Sequence, residues 1–245
     1  MRARFALVAV LVLCAPALVL PSTWVDVEVT CPVCGTVNIF KAPASFGTYV
    51  YQGPSRLQYV FWPATTDTFL YTCHRCHLTA YMQDFAQIPA DKITALAAML
   101  ERDGAIQGAL VPYYEIPMDT RLGIARRVYE VLGRDAEFWC ELDRIAGYHH
   151  AESGRAREAH AARARALTRA ESILETVPPG ERKETLVIVA SLRFLTGDVP
   201  GARQALAEAE PLTYAAAERD SKALDAYLGK LIEDFRSELL SDEAR

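Results

Sequence analysis

Four of the six cysteines in this 245-residue chain form two pairs with two residues between the thiols: Cys31-Pro32-Val33-Cys34-Gly35 and Cys73-His74-Arg75-Cys76-His77. At that spacing both sulfurs of one tight turn can point at a single cation. Two such turns complete a tetrahedral site with Cys31, Cys34, Cys73 and Cys76 as ligands. Thiolates neutralise the charge of a zinc ion, and the ion ties together a β module too small to be secure alone. Four protein sulfurs leave no open coordination position for a substrate, so zinc held this way is structural.

Three other chemistries fit the same residues. Cys73-His74-Arg75-Cys76-His77 satisfies the CxxCH pattern. There Cys73 and Cys76 would carry a c-type haem and His77 would be its axial ligand, with Met82, Met99, Met118, His149, His150 or His160 as the sixth ligand. That reading leaves Cys31 and Cys34 without a role. Cys-Pro-Val-Cys also looks like the active turn of thiol–disulfide redox proteins, whose first cysteine needs a helix N-terminus to lower its pKa. Gly35-Thr36-Val37-Asn38-Ile39-Phe40 is β-branched and does not begin a helix. Two structural disulfides are the fourth alternative, favoured in an oxidising compartment. His77 stands where a metal knuckle prefers glycine, and histidine is among the better-tolerated side chains at positive φ.

The elements that must position these thiols are strands. Val25, Val27 and Val29 alternate with Asp26, Glu28 and Thr30, the period of a half-buried strand. Thr36 to Phe40 is again β-like. Tyr49 to Tyr51, Gln58 to Trp62 and Phe69 to Thr72 follow, punctuated by Gly47, Gly53-Pro54 and Pro63. From residue 90 the pattern is helical: Asp91 to Arg102, a linker over 104–119, and a helix capped by Asp119 or Thr120 that ends at Gly133. Further helices are expected over 136–151, 156–176, 181–195, 201–210 and 214–240. The last sets Leu224, Leu228, Leu231, Phe235 and Leu239 on one stripe, a packing face.

Arg2 and Arg4 precede an unbroken apolar run from Phe5 to Leu20, and Ala15-Pro16-Ala17 supplies small residues for cleavage. This is the form of a signal peptide over 1–17. A retained anchor is the alternative, although the run is shorter than the ~20 residues that span a bilayer. Leu11-Val12-Leu13-Cys14 resembles a lipoprotein box but departs from it at Leu13. The composition of the whole chain, 51% hydrophobic and 23% charged, is that of a packed globular protein. A net charge of −5 argues against a nucleic-acid surface. No GxSxG, P-loop, HExxH or dinucleotide fingerprint occurs, and no catalytic residue is identified. Cys140 reads as a buried inert thiol. His149, His150 and His160 read as helix surface, and the arginines at 155, 157, 163, 165 and 169 as solvated charge.

Gly154-x₄-Ala159-x₆-Ala166 matches Gly197-x₄-Ala202-x₆-Ala209, each glycine between two helices. Alanines seven apart lie on one helical face and permit close packing. This resembles the tetratricopeptide pattern over roughly residues 136–211, at an offset longer than the usual ~34.

The order Cys-Pro-x-Cys-Gly, a β-rich insert, Cys73-x-x-Cys76-x-x-x-Ala80-x-x-x-Asp84-Phe85 and a helical-repeat tail resembles the bacterial family catalogued as domain of unknown function 2225. This chain departs from that family by His74 in place of Pro and His77 in place of Gly. The resemblance supports the architecture and implies no reaction. The expected fold is α+β. A zinc-ribbon-like cysteine module over 18–89 is followed by a helix and linker over 90–120 and an all-α helical-repeat domain over 121–245. The expected function is that of an exported metal-binding protein of the cell envelope whose helical tail engages a protein partner.

Overall fold

The computed structural model describes residues 23–45, 58, 69–103, 111–217 and 220–243. The expected leader over 1–17 and the strand expected over Tyr49 to Tyr51 lie outside these residues, as does that over Gln58 to Trp62 apart from Gln58. The chain is α+β: two small antiparallel hairpins, then a helical region. Strand β1 (Thr23–Thr30) pairs with β2 (Val37–Ser45), and β3 (Leu70–Thr72) pairs with β4 (Thr79–Tyr81). Each CxxC turn forms the tip of one hairpin.

The alternating valines of β1 were expected on a half-buried face; Val29 is half-buried there, whereas Val25 and Val27 are not. Val25 and Val27 are 45% and 39% exposed. Register places them opposite Ala42 and Phe40, on the inward face. The core contact on that face is made by β2: Phe40 is buried and stacks on Tyr71 at 4.2 Å, with Phe85 and Tyr113 edge-on at 4.8 and 5.2 Å. Among the described residues β1 pairs with β2 alone, and of its three alternating valines Val29 packs against this core. The outward-facing backbone of Lys41 is satisfied by two phenols: its N–H donates to Tyr113 and its carbonyl accepts from Tyr71 at 2.7 Å.

Helix α1 (Met82–Phe85) continues directly from β4, and α2 (Ile93–Asp103) follows a single 3₁₀ turn. Helix α3 (Met118–Leu132) begins after Pro117, with Asp119 in its first turn rather than as its cap, and stops at Gly133 in the left-handed region. It is locked onto the cysteine module by Tyr129. The buried phenol donates to Asp84 Oδ2 at 2.8 Å and accepts from the Tyr81 N–H at 2.9 Å, while Arg134 pairs with Asp84 Oδ1. Arg121, also buried, donates to the carbonyls of Leu70 and Ile116. Tyr129→Phe leaves a half-buried carboxylate oxygen and a strand N–H without this partner. It should lower stability by about 2 kcal/mol with metal content unchanged, as read by denaturant titration with elemental analysis of the same sample.

The tail comprises α4 (Ala136–Glu152), α5 (Ala156–Thr176), α6 (Arg182–Leu195), α7 (Val199–Ala209) and α8 (Ser221–Glu243). The α4–α5 and α6–α7 pairs close through equivalent turns. Arg155 N–H donates to the His150 carbonyl and Asp198 N–H to that of Arg193, both at 2.8 Å, after Gly154 and Gly197 at positive φ. Both turns and both alanine faces repeat at an offset of 43 residues, and Ala159, Ala166, Ala202 and Ala209 are all buried. Helix α8 starts at Ser221, later than the expected 214. The preceding segment is held extended: Tyr214 N–H donates to Asp225 Oδ1, and Ala215 N–H donates to the Gly180 carbonyl. Leu224, Leu228, Leu231 and Phe235 are buried, as the stripe implied.

Two apolar cores result. One runs from Cys31 and Phe40 through α2 and α3 to Ala162; the other runs from Cys140 to Phe235. Helix α4 serves both, with Leu142 and Ile145 in the first and Cys140 in the second. No described helix is long and apolar enough to cross a membrane.

Candidate metal centre

The two CxxC turns have the same backbone. Cys31 N–H donates to the Thr36 carbonyl and Gly35 N–H to that of Cys31; Cys73 N–H donates to the Leu78 carbonyl and His77 N–H to that of Cys73. This fold-back requires the residue after the second cysteine to take positive φ. Gly35 does so at +70°, and His77 at +61°, alone among the described non-glycine residues. His77 therefore fills a glycine role in the turn, as its place in the motif suggested.

The two hairpin tips face each other and bring all four sulfurs within 4.8 Å of one another. Cys31 Sγ lies 3.5 Å from Cys76 Sγ, and Cys34 Sγ lies 3.6 Å from Cys73 Sγ. Bonds of ~2.3 Å from a tetrahedral zinc give sulfur–sulfur edges of about 3.8 Å, whereas a disulfide bond is about 2.05 Å. The shortest approaches join one turn to the other, so a single ion would bridge the hairpins. All four thiols are free; Cys31 and Cys73 are buried and Cys34 and Cys76 half-buried.

The surroundings favour negative charge on sulfur. Backbone N–H groups of Arg75 and Cys76 point at Cys73 Sγ, that of Cys34 at Cys31 Sγ and that of Leu78 at Cys76 Sγ. Hydrogen bonds from Cys31 and Cys76 hold Cys73 far below the ordinary thiol range. The same sharing pushes Cys31 up to about 12 and Cys76 higher still. One thiolate is thus stabilised by its neighbours, and further ionisation opposes it. A divalent cation removes that opposition.

Asn38 was not singled out in the sequence. It is buried at 2% exposure in β2, donates to the Thr36 carbonyl at 3.0 Å, and lies 3.6 Å from Cys73 Sγ. Its Oδ1 accepts the His74 N–H at 3.0 Å. One amide thus clasps both turns and contacts one ligand. Asn38→Ala should weaken metal affinity by about 10- to 100-fold, the usual consequence of losing a group that orients a ligand. Competition with a chromogenic chelator reads this directly.

The remaining sequence candidates sit elsewhere. Met99 is buried in the first core, Met82 and Met118 open α1 and α3, and His160 is exposed on α5. His149 and His150 were expected on the helix surface. Both are half-buried, His150 Nδ1 lying 2.8 Å from Asp119 Oδ1, because α4 ends against the start of α3. Cys140 is buried, its pKa raised by that burial. The arginines were expected to be solvated charge; several are partly exposed but also tied into ion pairs or hydrogen bonds. Arg165 and Arg169 converge with Arg126 on the fully buried Asp143, Arg155 pairs with Asp119, and Arg163 reaches Gln58. No family model matches the sequence, and no curated protein or solved structure is significantly similar to it.

Proposed function

We propose that the four cysteines hold one structural zinc ion that fixes the two hairpins in a zinc-ribbon-like module, and that the helical tail docks a protein partner. The observation that carries the first part is the convergence of both turns, which brings the four sulfurs within 4.8 Å of one another. Thiolate-rich tetrahedral sites select zinc or iron. Hydrogen bonds from backbone and Asn38 to the sulfurs suit a permanently held ion. The haem reading has less support, because Cys73 and Cys76 turn their sulfurs towards Cys31 and Cys34. The redox reading lacks its activating helix: Cys34 is followed by β2.

The second part rests on the repeated helix pairs and their matching turns. Tetratricopeptide-like stacking is the arrangement this repetition fits, and such arrays present grooves to extended partners. The likeness to the family of domain of unknown function 2225 belongs to the same reading. Its motif residues have physical roles here: Ala80 and Phe85 are buried in the first core, and Asp84 receives Tyr129 and Arg134. Export to the cell envelope is supported by Arg2, Arg4 and the apolar run after them.

Elemental analysis of protein purified under reducing conditions tests the metal. One zinc per chain is expected. One iron with a covalent haem mass would replace this reading with a cytochrome.

A further inference from the structure

Helix α5 packs against both α4 and α6, and the space between those two outer helices is an open cavity of about 340 Å³. Its floor is apolar: Cys140, Ala170, Ile173, Val177 and Ile188. Its walls are acidic. Glu137 and Glu141 stand one turn apart on α4, facing Glu181 and Glu184 at the start of α6. One basic side chain, Arg144, lines the same cavity.

Glu137, Glu141 and Glu181 form no ion pair among the described residues. Like charges one turn apart weaken a helix by a few tenths of a kcal/mol, so folding alone does not call for this arrangement. The carboxylates are also too dispersed for a metal: among the described residues only the four cysteines bring three or more ligand atoms together. Two rows of negative charge along a trough with an apolar floor match a long cationic side chain. The aliphatic stem of lysine or arginine lies on the floor and its head meets the walls.

We infer that this cavity is where the tail receives its partner, and that the partner presents a lysine- or arginine-bearing, otherwise apolar peptide segment. This rests on the reading of the tail as a protein-docking element and adds the chemistry of what docks.

Fluorescence anisotropy with two short labelled peptides of equal length, one alternating Lys and Leu and the other Glu and Leu, tests it on the full chain. The Lys/Leu peptide is expected to bind, to weaken with added salt, and to lose about tenfold in affinity, or 1.4 kcal/mol, in the double variant E137Q/E181Q. Both substitutions lie at exposed or half-exposed positions, and circular dichroism checks that the helices persist. E208Q on α7, away from the cavity, should leave binding unchanged. Equal binding of the two peptides, or Lys/Leu binding indifferent to E137Q/E181Q, overturns the inference. Preferential binding of the Glu/Leu peptide would overturn it while sparing the docking role of the tail. Binding of neither peptide would count against both.

Discussion

Serine at position 73 is expected to abolish stoichiometric zinc and to unfold the cysteine module while much of the tail stays helical. Cys73 is fully buried, lies 3.6 Å from Cys34 Sγ and Asn38 Nδ2, and is the thiol whose ionisation its neighbours favour most. A hydroxyl there cannot supply the same charge. Metal binding in structural zinc modules is worth on the order of 10 kcal/mol, comparable to the entire stability of a domain. The near-ultraviolet signal of the Phe40–Tyr71–Tyr113 cluster should therefore collapse. Helices α6 to α8 should persist, because the core they share from Cys140 to Phe235 contains no residue of the module. Retention of zinc and of the thermal midpoint in Cys73→Ser would refute a structural metal. A chelator should reproduce the loss. Its effect should grow as pH falls, because protons compete with metal for thiols that, like Cys31 at about 12, hold them tightly.

Asp143→Asn should be the most damaging single change in the tail, lowering stability by about 3 kcal/mol and the thermal midpoint by on the order of 10 °C. The carboxylate is fully buried on α4 and binds Arg126 of α3 at 2.7 Å, and Arg165 and Arg169 of α5 at 2.9 and 2.6 Å. Trp139 lies beneath the Arg126 and Arg169 guanidiniums at 5.2 and 5.8 Å. An amide of the same shape removes the charge that three guanidiniums face and turns a donor towards at least one of them. The arginines are 28–43% exposed and can recover some hydration, which puts the expected loss at the low end for a broken buried pair. A midpoint within 2 °C of the parent protein, by calorimetry at about pH 7, would show the network to be dispensable.

What could be read from the sequence follows from the range over which each interaction acts. The two CxxC pairs are local, each within four residues, and so their potential to cluster was legible. So was His77 at positive φ, since the turn itself demands it. Gly154 and Gly197 with their alanine faces were legible for the same reason. Asn38 was not, because its value depends on two turns separated by 38 residues meeting around one amide. Arg165 and Arg169, one turn apart on α5, read as solvated charge because the carboxylate they meet lies on α4, and Arg126, which joins them from α3, was not singled out. The exposure of Val25 and Val27 was hidden because alternation reports which residues share a face, while burial depends on what lies beyond it. The late start of α8 reflects tertiary bonds from Tyr214 and Ala215 that override a run of good helix formers.

The placement of the sulfurs also sets how the chain tolerates changes in length. With Cys34 beside Cys73, an ion held by both would fasten the ends of the intervening 38 residues together, closing a loop whose entropic cost rises only with the logarithm of its length. Doubling it would add about 0.6 kcal/mol, small beside the metal's contribution. A change in the number of residues between the two cysteine pairs should therefore cost little, provided the two turns still meet around one ion.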